Sequence, residues 1–179
     1  MKDIRMILSD LDVEILSMKE AGISVDIEEN GTTFEENALI KANAVAAYTD
    51  AIVLADDSGL EIDYLNKEPG VYSARYAGDA HNSEANMKKL LKDMEGIENR
   101  KAQFRTVFVL IIDGKEHLFE GIVKGEITKN RKGTSGFGYD PIFIPEGYTQ
   151  TFAEMGNELK NKISHRALAT NKLCKFLMR

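Results

Sequence analysis

A chain of 179 residues is long enough to bury a sizeable core, and its 43% hydrophobic and 29% charged residues are the proportions of a globular protein. Twenty-three basic against 29 acidic side chains leave a net charge of −6, which repels nucleic acid on average and argues against it as a partner. No apolar run approaches the roughly 20 residues of a membrane helix, one cysteine (Cys174) cannot form an internal disulfide, and no secretory leader core stands at the start, so no membrane partner and a cytoplasmic home are expected.

With no repeats, low-complexity tracts or linkers, residues 1–179 read as one unit. Residues 2–10 place Ile4, Ile7 and Leu8 at helical spacing with Leu11 just beyond, and Val13-Glu14-Ile15-Leu16 then alternates like a strand. Thr33 with Glu36 three residues later matches a capping box, and the alanine-rich stretch to Tyr48 sets Phe34, Ala38, Ala42 and Val45 on one helical face. Ala51-Ile52-Val53-Leu54-Ala55 is an all-apolar run ending in carboxylates and Gly59, as for a buried strand with a polar tip. Residues 83–94 read as helix; residues 106–112 and 117–128 read as strands joined by a turn at Asp113-Gly114. Residues 164–177 close the chain as an amphipathic helix with Leu168, Leu173, Phe176 and Leu177 available for packing. The class is therefore α/β or α+β.

Four segments carry candidate chemistry. Asp56 and Asp57 adjoin at the strand end and point to opposite sides, so one faces a ligand while the other anchors; Asp-Asp-Ser-Gly is also an ordinary turn composition. Oxygen-only groups of this kind suit magnesium shared with phosphates, and Glu28-Glu29 is a second acidic pair, either a cation site or a solvated loop. Asn37 and Lys41 lie one turn apart and can address one point, where Lys41 either meets a phosphate or is a surface lysine. In Thr134-Ser135-Gly136-Phe137-Gly138-Tyr139-Asp140-Pro141, glycines permit close backbone approach, aromatics offer stacking surfaces and Asp140 can accept from ring nitrogens; a turn with two core aromatics fits as well. Ser164 can cap the last helix, with His165 and Arg166 placed to donate to anionic or carbonyl oxygens and Lys160 just upstream.

The segments Thr33-Phe34-Glu35-Glu36-Asn37-Ala38, Lys41-Ala42, 55–60, Pro69-Gly70-Val71-Tyr72-Ser73-Ala74-Arg75-Tyr76, 137–141 and 163–166 together resemble the Ham1-like inosine and xanthosine triphosphate pyrophosphatases, in that family's order. The resemblance implies an α/β fold: an elongated, mixed, twisted sheet flanked by helices, in two lobes with a central nucleotide cleft, commonly a homodimer. It implies hydrolysis of inosine, deoxyinosine and xanthosine triphosphates to the monophosphate and pyrophosphate with Mg2+, which cleanses the nucleotide pool. By that resemblance Asp57 is the general base and a magnesium ligand, Glu28 the other ligand, Ser58 a substrate contact and Lys41 a phosphate contact. Phe137, Gly138, Tyr139, Asp140, Lys160, His165 and Arg166 line the base and sugar pocket, with Asp56 and Asn37 in support. Members of the family open with a strand and a Thr/Ser-Gly-Asn-x-x-Lys phosphate loop, whereas Met1-Lys2-Asp3-Ile4 aligns with the helix that follows; a single, N-terminally shortened domain over 1–179 is expected. Two other readings are a nucleotide-binding homologue impaired by that missing loop and a Maf-like nucleotide pyrophosphatase.

Overall fold

The computed structural model describes residues 1–179. In chain order it contains helix α1 (Lys2–Ile7), helix α2 (Phe34–Ala46), strand β1 (Val53–Ile62), helix α3 (Ser83–Asp93), strands β2 (Lys101–Ile112) and β3 (Lys115–Ile127), a short strand β4 (Phe143–Pro145), and helices α4 (Phe152–Met155), α5 (Asn157–Ile163) and α6 (His165–Leu177). The α/β class is as expected, with helices around a four-stranded sheet of order β1-β2-β3-β4. Asp113 and Gly114 both take positive φ (51° and 71°), the geometry of a two-residue hairpin turn, so β2 and β3 run antiparallel. Gly125 pairs with Pro145 across an antiparallel β3–β4 register. Asp63 N–H donates to the Lys101 carbonyl, and the Thr106 hydroxyl to that of Asp57, so β1 and β2 are antiparallel too. The parallel pairs of a mixed sheet are not among these four strands.

Local chemistry explains where elements differ from the sequence expectation. Helix α1 stops at Ile7, and the Ser9 hydroxyl bonds the Met6 carbonyl in place of continued helix. Val13-Glu14-Ile15-Leu16 joins no ladder; the Arg5 guanidinium donates to the Ile15 carbonyl instead. Thr33 caps α2 by accepting from Glu36 N–H, but the Glu36 carboxylate turns to Thr32, so the box is half formed. Strand β1 does not end at the carboxylates: it runs through Asp56-Asp57-Ser58-Gly59 to Ile62, because pairing overrides the turn preference of that tetrapeptide. Leu168 is exposed, and Ala167 and Ala169 take the buried side of α6 in its place.

The chain divides into two compact units. One comprises Met1–Asp57, Thr106–Gly121 and Arg166–Arg179; its core joins Leu8, Phe108, Leu110, Ala169 and Leu173. The other comprises Ser58–Arg105 and Ile122–His165; its larger core includes Leu60, Ile62, Leu90, Phe104, Phe143 and Phe152. In this second unit Arg100 closes the junction between α3 and the sheet. Its guanidinium donates to the carbonyls of Ile127 (2.7 Å), Thr128 (2.7 Å), Met94 (2.9 Å) and Ile97 (3.2 Å). Replacing Arg100 by Met keeps the apolar stem and takes the guanidinium donors from four carbonyls, of which that of Met94 still accepts from Ile97 N–H at 3.1 Å. A loss of about 3 kcal/mol is expected, which for a chain of this size lowers the melting temperature by roughly 10 °C; a change within the error of a calorimetric scan would refute the role.

Candidate active site

The first set of candidate residues lies within the unit that contains α2. Strand alternation sends Asp56 and Asp57 to opposite sides of β1. Asp57, buried, meets α2: the Asn37 amide donates to its Oδ2 at 3.2 Å, and Lys41 Nζ stands 3.5 Å from its Oδ1. Asn37 and Lys41 share the face that also buries Phe34, Ala38 and Ala42, so helical spacing delivers both to one carboxylate. The same Lys41 ammonium lies 3.5 Å from Glu29 Oε1. Asp56, on the other side, accepts from Arg166 Nη2 at 3.1 Å. Burial pushes the Asp57 carboxyl above the usual carboxylate range; the Lys41 charge and the Asn37 hydrogen bond pull it back, and the Glu29 charge pushes it up again.

The expected acidic partner differs from the one the structure brings in. Along residues 23–29 exposure alternates, with Ile23, Val25, Ile27 and Glu29 half-buried and Ser24, Asp26 and Glu28 exposed. Glu28 therefore faces outward, and it is Glu29 that reaches Lys41. The period-2 pattern of Ile23-Val25-Ile27 is the signal that could have chosen between the two. Among the described residues no group of three or more His, Cys, Asp or Glu side chains stands ready to hold a metal ion. Asp57 and Glu29, both against one ammonium, form a two-carboxylate set of the kind that suits a hard divalent ion completed by water and phosphate oxygens.

The second set lies within the other unit, on the segment before β4. Asp140 is buried; its Oδ2 accepts from Phe137 N–H at 3.0 Å and from Lys160 Nζ at 2.5 Å. Gly136 has φ +78°, and a Cβ there would lie 2.1 Å from Asp140 Oδ2, so the loop closes only around glycine. The two aromatics separate. Tyr139 sits in the core, its hydroxyl donating to the Ser73 carbonyl at 2.6 Å, and burial pushes its phenol well up. Phe137 is the ring that solvent reaches, 59% exposed, with Lys160 Nζ 4.2 Å from its centroid. Gly138 has φ +59° beside it, and Ser58 is half-buried on β1. His165 is buried and stacked on Phe104, with ring centroids 4.9 Å apart.

Ser73 has a part that sequence reasoning missed. Its hydroxyl donates to the Gly70 carbonyl (2.6 Å) and accepts from Leu60 N–H (2.9 Å), while its carbonyl holds Tyr139. The Pro69 to Tyr76 motif thus braces the aromatic loop. An open groove of ≈ 630 Å³ in the same unit, lined by Lys67, Lys101, Lys124, Asp63, Glu126 and Glu146 among others, contains none of the candidate residues.

The electrostatics of the first set give a signed expectation. Because the folded state holds the Asp57 proton above the ordinary 3.8, this group favours folding at low pH, and its contribution declines as pH rises from 3.8 through the raised folded value. In metal-free protein a carbon-detected NMR titration is expected to find the Asp57 midpoint above 3.8, and to find it higher still in Lys41→Met. A downward move in Lys41→Met would overturn the assigned cause.

The chain is 50% identical over 165 residues to a protein of Flavobacterium johnsoniae named dITP/XTP pyrophosphatase, covering 92% of this chain and 86% of that one. It is 49% identical over 179 residues to a Bacillus licheniformis protein of the same name, covering 98% and 91%. Among solved structures, the Staphylococcus aureus Ham1 protein superposes with a TM-score of 0.91 at 43% identity, covering 99% of this chain and 92% of the other. A Coxiella burnetii HAM1 protein gives 0.93 at 38%, with the same coverage. The profile of the Ham1 family matches residues 1–176, and the chain belongs to that family.

Proposed function

We propose that this chain hydrolyses non-canonical purine nucleoside triphosphates, those of inosine, deoxyinosine and xanthosine, to the monophosphate and pyrophosphate, and so cleanses the nucleotide pool. The observation that carries the reading is the buried Asp57 carboxylate, braced by Asn37 and facing the ammonium it shares with Glu29, in a chain about half identical to proteins named dITP/XTP pyrophosphatase. Asp57 is the general base, and the burial that raises its affinity for a proton suits it to take one from a nucleophilic water. Lys41 binds phosphate oxygens. Asp57 and Glu29 are the carboxylates that hold Mg2+, which supplies charge neutralisation of the triphosphate and of the leaving pyrophosphate. Ser58, next along β1, contacts the substrate.

Phe137 offers its exposed face to the base, and Gly138 lets the backbone come close. The Asp140–Lys160 pair shapes that loop, and Tyr139 anchors it from below. His165 and Arg166 are the readers of the 6-oxo group: donors facing that oxygen are left unpaired when an amino group takes its place, and a site of this type rejects such a base strongly. No described helix is long and apolar enough to cross a membrane, and the resemblance supports a homodimer working in the cytoplasm.

The test is pyrophosphate release with Mg2+ from inosine, xanthosine, adenosine and guanosine triphosphates. The expected preference in kcat/KM for the first two over adenosine triphosphate is on the order of 100-fold or more. Asp57→Asn is expected to lose roughly 100- to 10,000-fold in kcat with its fold intact. Equal turnover of adenosine triphosphate, or near-normal turnover by Asp57→Asn, would remove the basis of the reading.

A further inference from the structure

We propose that Asn37 is a positioning residue whose one carboxamide fixes the Asp57 carboxylate relative to the chain segment that bears Glu29. The inference rests on the pyrophosphatase reading for what Asp57 does, and on geometry for what Asn37 does. Asn37 is 1% exposed, so both ends of its amide must be satisfied inside the protein. Its Oδ1 accepts from Gly31 N–H at 2.8 Å, and its Nδ2 donates to Asp57 Oδ2 at 3.2 Å. These partners also set the amide's orientation. Gly31 N–H can only donate and an ionised carboxylate can only accept, so a flipped amide would oppose oxygen to oxygen and NH2 to N–H.

Gly31 lies two residues beyond Glu29, and the bond through Asn37 is a short link between the two acidic groups. The packing there leaves no slack: a Cβ on Gly31 would stand 2.6 Å from Asn37 Oδ1 and 2.7 Å from Glu36 Cβ. Lys41 cannot replace this link. Its ammonium sits 3.5 Å from each carboxylate on a flexible stem and attracts both without fixing a direction. The two oxygens of Asp57 are consequently divided. Oδ2 is tied to Asn37, and Oδ1 remains on the side of Lys41 and Glu29, where phosphate chemistry would be met. A base and a metal-holding carboxylate must keep their separation to within a fraction of an ångström, and a side chain that touches neither substrate nor ion can govern that separation.

The experiment compares Asn37→Ala, Gly31→Ala and the double variant with the full-length wild type, using inosine triphosphate and saturating Mg2+ well below every variant's melting temperature. Asn37→Ala is expected to lower kcat roughly 10- to 100-fold while KM stays within about twofold. Gly31→Ala, which pushes the amide without removing it, is expected to lower kcat in the same sense. If both act through one link, the double variant is no worse than Asn37→Ala alone. Unchanged kcat with only a lower melting temperature, or additive losses in the double variant, would overturn the proposal.

A second readout needs neither metal nor nucleotide. In NMR spectra the Gly31 amide proton should exchange slowly in wild type and rapidly in Asn37→Ala, and the Asp57 carboxyl carbon resonance should move in both single variants. An Asp57 resonance that stays in place refutes the link, and Gly31→Ala alone suffices for this comparison if Asn37→Ala does not fold. Were wild type to release no pyrophosphate, the pyrophosphatase reading would fall, while these spectra would still decide whether Asn37 ties Asp57 to the Glu29 segment.

Discussion

A single ammonium facing two carboxylates is the constraint on which the acidic half of this protein depends. Asp57 is held in the interior, where an ionised group is costly unless a counter-charge is close. Lys41 supplies that charge but divides it with Glu29, at 3.5 Å from each. The local sum is one positive against two negative charges. The 3.6 period of α2 aligns Asn37 and Lys41, and an alternation of exposure along residues 23–29, a segment outside any strand, turns Glu29 inward.

The second unit uses a lysine and an aspartate as well, with a different outcome. Lys160 and Asp140 meet at 2.5 Å with side chains 9% and 4% exposed, whereas Lys41 and Asp57 stand at 3.5 Å with 22% and 11%. A tight, dry pair with matched charge is costly to part, since separating it leaves an uncompensated buried ion. The Asp140–Lys160 pair therefore behaves as framework, closing the loop through Phe137 N–H and setting a cation under the Phe137 ring. The Lys41–Asp57 pair is looser and wetter. Distance and exposure thus separate two chemically similar pairs into a tight, dry one and a looser, wetter one.

What could be read from the sequence follows the same division between local and non-local physics. Helix α2, its Thr33 cap, the Asp113-Gly114 hairpin and helix α6 were legible because their causes lie within a few residues. The continuation of β1 through Asp56-Asp57-Ser58-Gly59 was not, because those residues favour turns and only pairing along β2 draws them into a strand. Val13-Glu14-Ile15-Leu16 failed in the opposite sense: its alternation is strand-like, but a strand needs a ladder partner and none is bonded to it among the described residues. Within the candidate site, Asp57, Lys41 and the loop at 137–140 came from the resemblance to the family, since the residues alone left a turn, a surface lysine and core aromatics open. The choice of Glu29 over Glu28, and the burial of Tyr139 beside an exposed Phe137, required to know which face each residue presents. The bracing part of Ser73 was not legible because its partners, Leu60, Gly70 and the Tyr139 hydroxyl, are brought to it only by the fold.

Placing the Asp57 carboxylate inside a strand has a consequence that a loop position would lack. Asp57 shares its backbone with β1, and its carbonyl accepts from the Thr106 hydroxyl on β2, so the residue cannot drift to find better solvation. Its carboxylate must then ionise where it stands, at a cost that burial sets and that Lys41 and Asn37 only partly offset. A neutral residue at position 57 would avoid that cost, so under the proposed reading the retained charge gives up folding free energy for a proton acceptor of fixed position. The aromatic loop faces no such trade. Its Asp140 carboxylate is held by Lys160 and by the Phe137 N–H, and the Phe137 ring, with the Lys160 ammonium against it, is 59% exposed.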